Sequence, residues 1–183
     1  MKKWIIAPLV GGIILFAWQF VSWTFSGLHA SESTYTPAQD SIMACLNSNL
    51  PEGGMYLLPN YPPGTPFDKQ QEVCKSYIGK PFATINYVKV YSMDMTLPMI
   101  RGFLIDFLIV FCLIYMLTRA GTPTKMRIFA ASIAAGLICF LFGPYTQHNW
   151  FSTPAETLYP YLLDIALGWG LTGLWLGWYL NKK

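Results

Sequence analysis

The chain has 183 residues, of which 54% are hydrophobic and only 11% charged, with a net charge of +3. Water-soluble domains are about a quarter charged, so this composition excludes an ordinary soluble domain, a disordered chain, a collagen-like chain and, with four Cys, a small disulfide scaffold. The excess of positive charge is too small and too scattered for a nucleic-acid partner. What remains is a small multi-spanning membrane protein, with the lipid bilayer as its first partner.

From Trp4 to Ser31 there is no Asp, Glu, Lys or Arg, and a helix needs about 20 apolar residues to cross a hydrocarbon core. A first span is therefore predicted over residues 4–25. It is read as uncleaved, because Leu28-His29-Ala30 lacks the small-x-small pattern of a signal-peptide site. Residues 26–97 form a non-membrane segment. Further apolar runs predict spans over 98–118, 128–143 and 158–180. The expected fold is a membrane all-α protein: a four-helix transmembrane bundle with a small α+β extracytoplasmic domain between the first two spans.

Orientation follows from the short basic segments. Lys2 and Lys3 precede the first span, Arg119, Lys125 and Arg127 separate the second from the third, and Lys182 and Lys183 follow the fourth. In a four-span chain these three places share a side. Both termini are expected in the cytoplasm and residues 26–97 outside.

Within residues 26–97, Thr36-Pro37-Ala38-Gln39 and Thr65-Pro66-Phe67-Asp68 each offer a hydroxyl cap, a proline at the first helical position and an amide or acid at the third. Two helices are predicted, ending near Asn49 and Gly79, each followed by a strand, at residues 55–59 and 82–91. Cys45 and Cys74 each stand nine residues after the capping Thr, which hints at a duplication. In an oxidising compartment a Cys45–Cys74 disulfide is expected. Cys112 and Cys139 fall inside spans and are read as packing residues.

No nucleophile elbow, zinc-protease helix, phosphate loop or Cys-x-x-Cys is present, so a non-catalytic protein without a cofactor is expected. Met93, Met95 and Met99, with His29 and His148, are the one set of soft ligands that would suit Cu(I). Packing by flexible thioethers is the preferred account of those Met residues. In the fourth span Ala166, Gly170, Gly173 and Gly177 form a ridge of small residues. The third span answers it with Ala131, Ala135 and their neighbours Ala130, Ala134 and Gly136. Packing of the third span on the fourth is the expected use of this ridge, with a homo-oligomer or a membrane-protein partner as the other.

Three charges lie within predicted spans: Arg101, Asp106 and Asp164. Each costs at least about 2.5–3.5 kcal/mol to insert, so each needs a partner or a cavity. Counted at about 1.5 Å per residue from the outer ends of their spans, Arg101 falls about 4–5 Å in, Asp164 about 9 Å and Asp106 about 12 Å, with Gln19 at a similar depth, all in the outer half of the bundle. Arg101 is expected to reach Asp164, with Asp106 facing Gln19 or water.

The first-span phrase GGIILFAWQFVSW, followed by YTPAQD, YPPGTP and MIRGFLIDF, resembles a group of uncharacterised small four-span bacterial membrane proteins. That resemblance implies a bacterial cytoplasmic membrane and carries over no functional residue. The function expected from the sequence is an accessory or assembly subunit of a bacterial inner-membrane complex. The alternative is a small oligomeric transporter, or a ligand- or metal-binding protein built on the Arg101, Asp106, Asp164 and Gln19 cluster.

Overall fold

A computed structural model describes residues 2–119, 121 and 123–182. Lys183, one of the basic residues used for orientation, lies outside the described residues. The chain divides into two compact units, Met1–Thr34 with Asp94–Lys183, and Tyr35–Met93. The fold is mostly helical, with a small two-stranded sheet and three helices long and apolar enough to cross a membrane.

In the first unit, α1 spans Lys2–Thr24 and α4 spans Thr96–Arg119. The Asp94 carboxylate accepts from the Thr96 amide at 2.9 Å and so satisfies one of the free donors that open α4. Helix α5, Lys125–Phe142, is capped in the same way by Thr124, whose hydroxyl accepts from the Arg127 amide. The stretch after α5, expected as a plain linker, folds into α6, Pro144–Phe151. Pro144 occupies its first turn, where its missing N–H costs nothing.

The predicted fourth span is helical but not one regular helix. It consists of α7, Leu158–Asp164, a π-turn, Ile165–Trp169, and α8, Gly170–Asn181, joined through right-handed helical backbone at both junctions. Neither α7 nor α8 alone has the length of a crossing. The first unit's buried core draws on α1 with Ala7 and Leu15, α4 with Val110, Leu113, Ile114 and Leu117, α5 with Ile128 and Phe140, the π-turn with Ile165 and Trp169, and α8 with Leu176.

Close helix approach depends on glycine in two places. A Cβ on Gly12 would stand 3.0 Å from the backbone N and Cα of Phe107, so α1 and α4 touch nearly backbone to backbone. On the other side of the unit, a Cβ on Gly173 would lie 2.8 Å from Ser132 Cβ and one on Gly177 3.2 Å from the Lys125 carbonyl. Apolar helices in lipid gain little from hydrophobic burial against one another, so this contact distance is what van der Waals association needs. The Lys3 ammonium donates to the Lys182 carbonyl at 2.5 Å, which brings the start of α1 and the end of α8 to the same end of the unit.

The second unit holds α2, Gln39–Asn49, β1, Gly54–Leu58, α3, Phe67–Lys75, and β2, Ala83–Tyr87. The strands pair antiparallel, from Gly54 opposite Tyr87 to Leu58 opposite Ala83. Strand β2 stops at Tyr87, short of the predicted Tyr91, because β1 offers only five residues to pair with. Tyr87 is buried, and its hydroxyl donates to Asn47 of α2 at 3.0 Å.

Three expectations for this unit are overturned. The capping Thr residues do not cap: α2 starts after Ala38 and α3 after Pro66, neither with a side-chain cap, and the Thr65 hydroxyl donates back to the Pro62 carbonyl at 2.6 Å. Helix α3 also ends at Lys75, with turns carrying the chain on to Gly79, whose φ of +80° suits glycine. Nor is there a disulfide, since Cys45 and Cys74 are free, exposed thiols. Equal spacing from Thr36 and Thr65 does not give equal placement. Cys45 is the seventh residue of α2 but Cys74 the eighth of α3, a difference of about 100° around a helix.

Gly12 and Gly102 form a matched pair of tests. A methyl at Gly102 would meet only the Phe16 ring edge at 3.4 Å, an ordinary contact, whereas at Gly12 it meets α4 backbone that cannot rotate away. Gly12→Ala should cost about 1–3 kcal/mol of stability through overpacking, and Gly102→Ala should be neutral or slightly stabilising. Thermal unfolding of the two variants in the same detergent measures the difference.

Candidate functional site

The polar site is organised around Asp164, the last residue of α7. Its Oδ1 accepts from the Trp18 indole N–H at 2.9 Å and from the Ser22 hydroxyl at 2.7 Å. Trp18 and Ser22 are four apart on α1 and so lie on one face of that helix. His29 Nε2 lies 3.1 Å from Asp164 Oδ2. One carboxylate thus ties α7 to α1 and to the segment after it.

That segment reaches back because of Gly27. With φ of +68° it reverses the chain after α1 into a 3₁₀ turn, Leu28–Glu32. A 3₁₀ turn has three residues per turn, which puts His29 and Glu32 on one face. His29 Nδ1 meets Glu32 Oε1, and the Tyr161 hydroxyl donates to Glu32 Oε2 at 2.8 Å. The imidazole is buried and lies flat on the Trp23 ring, with centroids 3.9 Å apart and planes 11° from parallel. Tyr161 packs edge-on to it at 5.2 Å. A neutral imidazole donates through one nitrogen and an imidazolium through both, so a histidine between two carboxylates is the one side chain here able to serve both.

A second polar pair lies elsewhere between α1 and α4. Gln19 Nε2 donates to Asp106 Oδ1 at 3.0 Å, and Asp106 is only 3% exposed. Its other oxygen, Oδ2, is buried and has no hydrogen-bond partner among the described residues.

A cavity of about 240 Å³ opens beside Asp164. Five aromatic rings line it, those of Trp18, Trp23, Phe140, Tyr161 and Trp169, and its polar side chains are Gln19, Cys139 and Asp164. Among the described residues no Lys or Arg contributes to its wall. The π-turn shapes this space. It carries Gly168 up to the Trp18 indole, where a Cβ would stand 2.7 Å from Cδ1, and Trp169 onto Gly136, where a Cβ would stand 2.5 Å from the ring. π-turns loosen the helical hydrogen-bond ladder, and here the buried Ser132 hydroxyl donates to the Trp169 carbonyl at 2.7 Å.

The expected Arg101–Asp164 pair does not form. Arg101 is exposed and makes no ion pair among the described residues. Helix α4 packs on α1 and α5 rather than on α7, so α1 stands next to Asp164 and supplies the donors. The soft-ligand set is not assembled either. His29 is held between two carboxylates, His148 Nδ1 bonds to the Thr153 carbonyl at 2.6 Å, and Met95 and Met99 are exposed.

In the small-residue ridge, Gly173 and Gly177 sit against α5, while Gly170 has only Ile133 Cδ1 near it, at 3.9 Å. Ala131 and Ala135 are partly buried against the core. Trp18, Ser22, Glu32 and Tyr161 were not singled out from the sequence. Gln19 and Ser22, the two hydrogen-bonding non-aromatic side chains in the apolar run from Trp4 to Trp23, were the available signal. Compared with known proteins, the chain matches no family model, no curated sequence and no solved structure.

Coupling energies separate the two accounts of Asp164. Ser22→Ala and Asp164→Asn should be non-additive in detergent unfolding, by roughly 0.6–1.7 kcal/mol, the range for hydrogen bonds within membrane proteins. Arg101→Ala and Asp164→Asn should be additive. Coupling at Arg101 with none at Ser22 would overturn this assignment of donors.

Proposed function

We propose that the chain is a four-span protein of the bacterial cytoplasmic membrane that binds a small organic cation, an ammonium with an apolar body, in the cavity beside Asp164. One observation carries this reading: the cavity wall joins a carboxylate to five aromatic rings, with no Lys or Arg among the described residues that line it. Aromatic faces attract an ammonium through their quadrupole, most strongly where water is excluded, and the carboxylate supplies a charge-assisted hydrogen bond. A ligand-binding or transport protein thus takes precedence over the assembly-subunit reading. The small-residue ridge favours the same choice, because Gly173 and Gly177 are already taken up by α5 of the same chain. The assembly-subunit reading keeps one observation in its favour, the exposed Val88, Val90 and Tyr91 of the second unit.

The fourth crossing is α7, the π-turn and α8 taken as one interrupted helix. Residues 158–181 extend about 36 Å at about 1.5 Å per residue, enough for a hydrocarbon core of about 30 Å. The grouping of Lys3, Lys182 and the start of α5 at one end of the first unit agrees with a single cytoplasmic face. Residues 26–97 are then extracytoplasmic.

Reporter fusions after Ser92 and after Lys183 should report opposite sides of the membrane; the same side for both would end the four-span reading. For the ligand, benzylammonium is a suitable probe and benzyl alcohol its uncharged counterpart. Benzylammonium should quench the intrinsic tryptophan fluorescence saturably. Asp164→Asn should weaken its binding by about tenfold or more, as loss of a charged hydrogen-bond partner does, and leave benzyl alcohol unaffected. Equal affinity of the two probes for the unaltered protein would rule out the cation reading.

A further inference from the structure

Asp106 takes no part in the network around Asp164, yet it is among the most buried polar groups of the protein. Gln19 satisfies Oδ1, and nothing among the described residues satisfies Oδ2. The backbone crossing at Gly12 explains the burial, since a Cβ there would lie 3.4 Å from the Asp106 carbonyl carbon and the two helices leave no gap between them. The helices packed on α4 are α1 and α5. Helix α1 has no titratable side chain beyond the lysines at its start, and it presents Gln19 to Asp106. Helix α5 has Lys125 and Arg127 in its first turn and, within electrostatic reach of the carboxyl, the Cys139 thiol. No Lys, Arg or His among the described residues pairs with Asp106.

A bare carboxylate in such a place would leave a buried charge with a single hydrogen bond, which is strongly unfavourable and is normally relieved by a pairing cation or by a proton. Among the described residues no cationic side chain pairs with it. We propose that Asp106 is an exchangeable proton-binding site inside the membrane, with the proton carried on Oδ2 and exchanged through the cavity beside Asp164. The route is given by Gln19, which lines that cavity and donates to Asp106. Loading forms one O–H bond on Oδ2 and removes one negative charge from the bundle; unloading returns the proton to the cavity. The site stands apart from the identity of the cavity's ligand, because it rests on Asp106 and its neighbours alone.

A hydrophobic carbodiimide tests it, since the reagent adds to buried carboxyls that carry a proton. The full-length chain in detergent micelles is treated with dicyclohexylcarbodiimide across a pH series, and the adduct is located by peptide mass spectrometry. A water-soluble carbodiimide acting on exposed carboxyls serves as the reagent control. The expected result is an adduct on Asp106 that declines as pH rises, approaching about tenfold per pH unit once most of the carboxyl is ionised. It should be the same in sodium as in potassium. Absence of an Asp106 adduct throughout the series in monodisperse protein would overturn the proposal, and so would protection by sodium but not potassium, which would assign the site to a metal cation. Benzylammonium binding and carbodiimide labelling fail independently, so loss of one leaves the other standing.

Discussion

An ionised group among apolar helices must be given donors by its neighbours, and the way Asp164 meets this requirement arranges much of the first unit. Three donors converge on the Asp164 carboxylate or face it: an indole N–H, a hydroxyl and an imidazole. Two come from α1 and the third from the 3₁₀ turn that Gly27 folds back. Tyr161 and Glu32 add a second tie between the same elements. A charge that would cost several kcal/mol alone becomes, once so surrounded, a reason for α1 and α7 to hold one orientation. Removing a single partner leaves a half-buried charge short of a donor, which is worse than never having placed the charge there.

The second constraint is distance. Helices in lipid associate by contact rather than by exclusion of water, and here contact is set by glycines. Gly12 lets α1 lie against the backbone of Phe107, and Gly173 and Gly177 let α8 lie against α5. The π-turn uses the same device for a different end. Gly168 and Gly136 make room for the indoles of Trp18 and Trp169, so that large rings fill the space and still leave a cavity between them. An extra residue in a helical turn shifts every side chain after it, and that shift sets Asp164 and Trp169 on one wall. The irregularity in the helix and the polar cavity therefore share a cause.

Much of the architecture was legible in the chain itself. Apolar runs of crossing length, free of charge or nearly so, leave few options but membrane-length helices, and three are present; the first two end within a few residues of those expected, while the third, Lys125–Phe151, runs well past its expected end at residue 143. Helix, strand, helix, strand was readable in residues 35–93 from proline, glycine and alternation. The small residues of the predicted third and fourth spans were visible as a ridge. What could not be read was anything that depends on rotation about a helix axis. Cys45 and Cys74 share a spacing, but the helices begin at different points after their Thr residues, and the thiols remain apart.

Arg101 and Asp164 both count into the outer half of their predicted spans, and depth can be counted along a sequence; azimuth cannot, and α4 turns Arg101 away while α1 stands beside Asp164. The donors that settle the charge are an indole and a hydroxyl, residue types that read as apolar or neutral in a span and reveal their role only when a carboxylate is brought to them. The sequence by itself determined that charges lie within apolar helices and must be satisfied. The tertiary structure alone decided by which atoms, because only packing brings together groups 142 residues apart such as Ser22 and Asp164, and no local propensity encodes that meeting.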